Sequence, residues 1–216
     1  MHPELIFYGT LETLAMVSGS LIIAFVFGLP LGVIIFAGKK RLLTRHQRLI
    51  RCLDTLVTIW RSIPFMILLV LMIPVTRFLV GRSIGTAAAI VPLGFCAIPF
   101  VARLTDDTLA EVPQEITDMG RALGASLSHL FIHILIPEAL PGIINSGTLT
   151  AINLVSCSAM AGAVGGGGLG DIAVRYGYQR YDPEILTITL CLVIVIVQLI
   201  QWAGNRLGSR FRHQQT

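Results

Sequence analysis

TLAMVSGSLIIAFVFGLPLGVIIFAG, residues 13–38, contains no charged side chain. At 1.5 Å per residue this run makes about 39 Å of helix, more than the roughly 30 Å hydrocarbon core of a bilayer. It is too long for the apolar core of a cleaved leader, and Glu4 and Glu12 stand where a leader carries basic residues. It reads as a retained membrane span, with a bend expected at Pro30. The rest of the chain agrees with that solvent. Of 216 residues, 54% are hydrophobic and 13% charged, and the mean hydropathy is +0.79. A soluble domain is about a quarter charged, so this chain lacks the charge to cover a water-facing globule. No polar linker, low-complexity tract or internal repeat divides it, and 1–216 reads as one domain.

Four further spans follow. The second is expected from Thr55 to Thr76, with Trp60 as an interfacial anchor and Arg61 near its start. The third is Ser83 to Ala102, with Pro92 and Pro99 inside it. The fourth covers about 140–163 and is ended by the glycines at 165–168. The fifth runs from Ile185 to about Asn205. The connections carry the charge, notably KKRLLTRHQRLIR at 39–51 and a long polar segment, 103–138. Five spans put Lys39, Lys40, Arg41, Arg45, Arg48, Arg51, Arg61, Arg103, Arg121, Arg206, Arg210 and Arg212 on one side. Only Arg77, Arg82, Arg175 and Arg180 fall on the other. The positive-inside rule then places the N-terminus outside and the C-terminus inside. The fold class is all-α, a polytopic membrane protein of about five transmembrane helices.

The 103–138 connection ends in DMGRALGASLSHLFIHILIP, 118–137. A helix starting near Gln114, after Pro113, should stop at Gly124, where glycine suits a left-handed terminating position. Ser126 can cap a second helix beginning at Leu127, and Pro137 marks the turn before the fourth span. Two short helices meeting at an angle, with one end fixed to the membrane, would transmit a rigid-body push.

This stretch resembles the inner loop of ATP-binding-cassette importer permeases, E-A-A-x3-G-x9-I-x-L-P. Asp118, Met119 and Gly120 stand for E-A-A, Gly124 follows after three residues, and Ile134, Ile136 and Pro137 close the pattern. The departures are Asp for Glu, Met and Gly for the alanines, and Ile for Leu. WRSIPFMILLVLMIPVTR (60–77), LIPEALPGIINSGTLT (135–150) and SAMAGAVGGGGLG (158–170) are similar to the methionine-importing permeases of that family. The resemblance implies methionine import driven by ATP hydrolysis on a separate chain. It also implies a homodimer in the inner membrane, two ATPase subunits beneath it, and a periplasmic or lipoprotein methionine-binding protein on the far side. Asp118, Met119, Gly120, Gly124, Ser126, Ile134 and Pro137 would form the coupling element. Another small amino acid is the alternative cargo. The chain has no G-x-x-x-x-G-K-[ST] phosphate cradle, so no cofactor is expected on it; ATP and magnesium belong to the partner, and the chain is not read as an enzyme.

On the fourth span Ser146, Thr150, Asn153, Cys157 and Met160 recur at spacings of four and three, along one helical face. Two readings stand: a helix–helix seam, or the lining of a substrate path. The resemblance implies that Met160 occupies a gate position. Carboxylates and histidines are missing from the middles of spans one, three, four and five, which argues against an ion-driven carrier. The cysteines Cys52, Cys96, Cys157 and Cys191 are scattered, with no C-x-x-C pair, and read as packing residues. GGGGLG at 165–170 matches G-x-G-x-x-G but lacks the strand of a dinucleotide fold. It reads as a flexible turn at the outer mouth, with RYGYQRYD beyond it free to meet the binding protein. His129 and His133, four apart, read as solvated or partner-facing rather than as metal ligands, since no third ligand is evident. Ser126 beside His129 raises the rival of an intramembrane serine protease. That chemistry needs a base in a site shielded from the bilayer, and Ser126 lies in a polar loop with a cap to make. The basic 39–51 segment suits anionic lipid, not nucleic acid.

Overall fold

A computed structural model of the chain describes residues 3–40, 42 and 47–212. Arg41 and Arg45 of the basic connection lie outside the described residues, as does the side chain of Arg212. Helix α1, Pro3–Lys39, begins well before the uncharged run and continues unbroken through Pro30. Helix α5, Thr86–Ala110, packs along its length. Gly28 and Gly32, four residues apart on either side of that proline, permit this. A methyl group at Gly28 would lie 2.7 Å from the carbonyl oxygen of Ile98, and one at Gly32 would meet that of Ala102. Small residues at this spacing let two backbones approach where lipid supplies no hydrophobic drive. Ser20 adds an interhelical hydrogen bond to the carbonyl of Ile90, 3.2 Å.

The second span is not the continuous Thr55–Thr76 helix that its composition suggests. Helix α2, Gln47–Arg61, and helix α3, Phe65–Leu71, meet at 104°. Helix α4, Ile73–Val80, follows. Pro64 makes the break: it is extended, with ψ 135°, it has no N–H to donate, and it drives the residue before it away from helix. Trp60 and Arg61 therefore sit at the break rather than at the start of a span. Trp60 lines an apolar groove with Leu31 and Phe95, and the Arg61 guanidinium lies 5.7 Å over the Phe100 ring.

The third span outlasts its expected end at Ala102 by two turns, reaching Ala110. The polar residues that suggested a loop there are used within the bundle. Asp106, buried on α5, is 2.7 Å from the Lys39 ammonium, and Asp54 of α2 is 3.1 Å from it. Arg103 is 3.6 Å from both carboxylates. The connection proper is thus shorter than 103–138. It contains α6, Gln114–Ala122, and α7, Leu127–Glu138. Pro137 lies inside α7, directly after a π-type turn at Leu130–Leu135 that relaxes the regular hydrogen-bond ladder a proline would break. The chain turns at Ala139 instead, and Pro141 opens the first turn of α8, Leu140–Ala161. After the glycines come α9, Gly168–Ile172, continued by a π-type turn at Ala173–Tyr178, and α10, Pro183–Arg212. Four described helices are long and apolar enough to cross a membrane, and the bent α2–α3 pair is a fifth candidate.

Two large buried clusters fill the bundle, beside a smaller one of Leu68, Met72 and Val91. One, around Met16, Leu93, Val101 and Leu154, unites α1, α5 and α8. The other, around Phe36, Leu109, Leu130, Phe131 and Leu135, secures α7 at the end of the bundle that carries Lys39.

Candidate functional site

The α6–α7 pair is built on a Schellman turn. The Gly124 amide donates to the carbonyl of Arg121 at 2.9 Å, and the Ala125 amide to that of Gly120 at 3.1 Å. Gly124 itself is left-handed, φ +76°, the conformation this motif demands and glycine adopts without a Cβ penalty. Two residues on, the Ser126 hydroxyl accepts from the His129 amide at 3.3 Å, capping α7. Gly120 has a different task. A methyl there would lie 2.7 Å from Leu130 Cδ1 and 3.2 Å from Ile134 Cδ1, so its missing side chain seats α6 across α7. The Phe36 and Phe131 rings, edge to face at 6.2 Å, fasten α7 to α1.

The outer side of this pair is apolar and open. Met119 is 61% exposed and Leu123 81%, beside exposed Asp118 and Arg121. Ile132 extends the surface along α7. Leu123 and Ile132 escaped the sequence reading because they fall on variable positions of the loop pattern. Asp118 and Met119 point outward while Gly120, Ile134 and the turn at Gly124 hold the two helices together. Pro137 is exposed at the end of α7. His129 and His133 stack face to face at 4.5 Å. No group of three His, Cys, Asp or Glu side chains converges among the described residues.

The α8 stripe divides. Ser146, Thr150 and Cys157 are buried; Asn153 and Met160 are exposed. Thr150 donates to the Ser146 carbonyl at 2.7 Å, and the Ser146 hydroxyl lies 3.2 Å from that of Thr108, tying α8 to α5. The seam reading describes one edge of the stripe. The other edge belongs to an open face of Asn145, Leu149, Asn153, Ser156 and Met160, turned by about 60° from the stripe's midline at 100° per residue. Spacing established that the five residues share a side; it carried no information on where α5 cuts across that side.

The glycine turn is locked rather than flexible. Gly165, Gly167 and Gly168 have φ between +79° and +91°. The Gly168 amide donates to Glu12 Oε2 at 2.7 Å and the Leu169 amide to Thr13 Oγ1 at 2.9 Å. Glu12, read as lying ahead of the first span, is a residue of α1 and caps this turn. Beyond it Tyr178 and Tyr181 are largely exposed, and the Arg180 guanidinium lies 4.6 Å over the Tyr176 ring.

A multi-pass bundle with a hinged helix pair at one end and a polar open face on a central helix defines a class, and sequence comparison agrees. The chain belongs to the family of binding-protein-dependent transport system inner membrane components, whose model matches residues 28–213. Among its relatives, the probable D-methionine transport system permease MetI of Vibrio cholerae is 48% identical over 99% of this chain and 95% of its own length. The D-methionine transport system permease MetI of Escherichia coli is 47% identical over 71% of each chain. In three dimensions the chain matches a subunit in an inward-facing structure of the MetNI methionine ABC transporter with a TM-score of 0.95. Identity there is 45%, over 98% of this chain and 99% of that one. An amino acid ABC transporter shares the fold at 17% identity, TM-score 0.74.

Proposed function

We propose that this chain is the membrane-spanning subunit of an ATP-driven methionine importer, taking the L- and D-forms into the cytoplasm. It acts as a homodimer in the inner membrane, with its N-terminus outside and its C-terminus inside. Two ATPase subunits bind beneath it, and a periplasmic or lipoprotein methionine-binding protein delivers the cargo. The observation that carries this reading is the α6–α7 pair. It is hinged at Gly124, secured to α1 by Phe36 and Phe131, and presents apolar Met119 and Leu123 outward beside Asp118. Such a surface suits burial against a partner, and its attachment to the bundle would pass a displacement of that partner to the spans. The chain itself performs no hydrolysis in this scheme. ATP-driven closure of the partner shifts the bundle between inward-open and outward-open populations. The names of close relatives across nearly the whole length support methionine as cargo.

Co-purification with its accompanying ATPase, then uptake of labelled methionine into vesicles with and without ATP, tests the reading. Accumulation should require ATP and the ATPase chain, and unlabelled methionine should compete better than other small amino acids. Uphill accumulation by the isolated chain, or peptide-bond cleavage by it, would overturn the proposal.

A further inference from the structure

Thr76, on α4, is 2% exposed, and its hydroxyl has no hydrogen-bond partner among the described residues. Other helical threonines behave differently. Thr10, Thr55, Thr58, Thr148, Thr150 and Thr187 each donate to the carbonyl four residues back. A buried hydroxyl left without a partner costs roughly 1–3 kcal/mol, so its persistence calls for an explanation.

Thr76 lines a cavity of about 30 Å³ together with Ser83, Ala88, Pro92, Ala161 and Gly166. A single water needs roughly 10–15 Å³ measured this way and two to four polar partners. The pocket is half open, and its deepest part, at Thr76, has room for a water. Its partners are at hand. Pro92 has no N–H to give the carbonyl of Ala88, one turn earlier on α5, and both residues border the cavity. Exposed Ser83 lies at the open side of the same lining. We infer that this cavity is a built water site, in which one ordered water accepts or donates at Thr76 Oγ1 and donates to the Ala88 carbonyl. The water joins α4 to α5 at the proline where α5 loses its own hydrogen bond, next to the glycine turn at Gly166. It leaves neither polar group stranded, and it allows α4 to shift against α5 by exchanging a mobile bridge rather than breaking a direct one. The inference does not depend on what the chain transports.

Radiolytic footprinting of the whole transporter tests it, because ionising radiation converts a bound water to hydroxyl radical, which oxidises the side chains beside it. Pro92, buried on α5, should be oxidised in the unmodified chain and protected in Thr76→Val. Thermal unfolding in detergent gives an independent reading through a double-mutant cycle. Thr76→Val, which keeps the shape and removes the hydroxyl, should lower the midpoint by about 2–4 °C. In a Pro92→Ala background, where a restored N–H takes the Ala88 carbonyl, the same change should have little effect or raise the midpoint. A Pro92 protected from the outset, or a valine that raises the midpoint equally in both backgrounds, would mean a dry cavity and would overturn the inference.

Discussion

Gly120 and Gly124 lie one turn apart in the same loop and are required for opposite reasons. Gly124 needs its backbone freedom: its φ is +76°, and a methyl there would meet nothing within 4 Å. Gly120 needs its missing side chain, because Leu130 and Ile134 occupy the space. Gly124→Ala should therefore cost only left-handed strain, about 1 kcal/mol, and leave most ATP-dependent uptake in the vesicle assay. Gly120→Val should push α6 off α7. Overpacking of this kind costs about 1–3 kcal/mol, and uptake should fall roughly tenfold while ATP hydrolysis continues. Equal losses in the two variants would show that seating and turn geometry are not separable. The glycine at the turn was legible in the sequence, since Gly followed by a serine cap is a local signal. The purpose of Gly120 was not, because it depends on a side chain ten residues away.

At the level of elements, the α1–α5 pair is the frame against which α2 is held. Its seam rests on Gly28 and Gly32, and its end is clamped by Lys39, Arg103, Asp54 and Asp106. Asp106 is buried while the Lys39 side chain remains 39% exposed, so the pair falls between surface and interior behaviour. Asp106→Ala should cost about 1–2 kcal/mol, below the buried-pair range because water still reaches Lys39. Combining Lys39→Met with Asp106→Leu should recover most of the lost thermal stability in detergent, since an apolar pair of similar volume removes both charges. A double variant no better than the single would assign the loss to packing instead. The extent of α5 and the break in α2 mark the two limits of reading elements from composition. Charges at 103–107 looked like a loop because their partners, Lys39 and Asp54, lie far away in sequence. Pro64 was visible, but Pro30, Pro92 and Pro99 sit inside continuous helices, so a proline alone does not tell a break from a tolerated kink.

For the molecule as a whole, two exposed surfaces of unlike chemistry need different surroundings. Helix α10 presents Leu190, Ile194, Val195 and Leu199, which suit lipid. The open face of α8 presents Asn145, Asn153 and Ser156, whose amides and hydroxyl are costly against hydrocarbon and suit a second copy or a water-filled path. In a variant lacking the four native cysteines, Ser156→Cys should react with a water-soluble thiol reagent and Leu190→Cys should not. The reverse pattern would place α8 against lipid. Met160, 48% exposed at the far end of that face, belongs to the same test. Met160→Ala should raise ATP-independent methionine leak by roughly two- to tenfold if the side chain obstructs a path, the equivalent of about 0.4–1.4 kcal/mol in a barrier. An unchanged leak would return Met160 to packing.

Sequence alone determined what depends on solvent and on neighbours within a turn or two: a lipid-embedded helical chain, the Gly124 turn with its Ser126 cap, and the family to which the loop pattern points. The uncharged runs and local hydrogen-bonding options carry that information directly. Only the tertiary structure decided which edge of α8 is seam and which is open, why α5 runs on past its charges, and how Glu12 and Thr13 lock a glycine turn more than 150 residues away. Each of those outcomes rests on a partner supplied by another helix, and a contact between distant segments leaves no periodic trace in either of them.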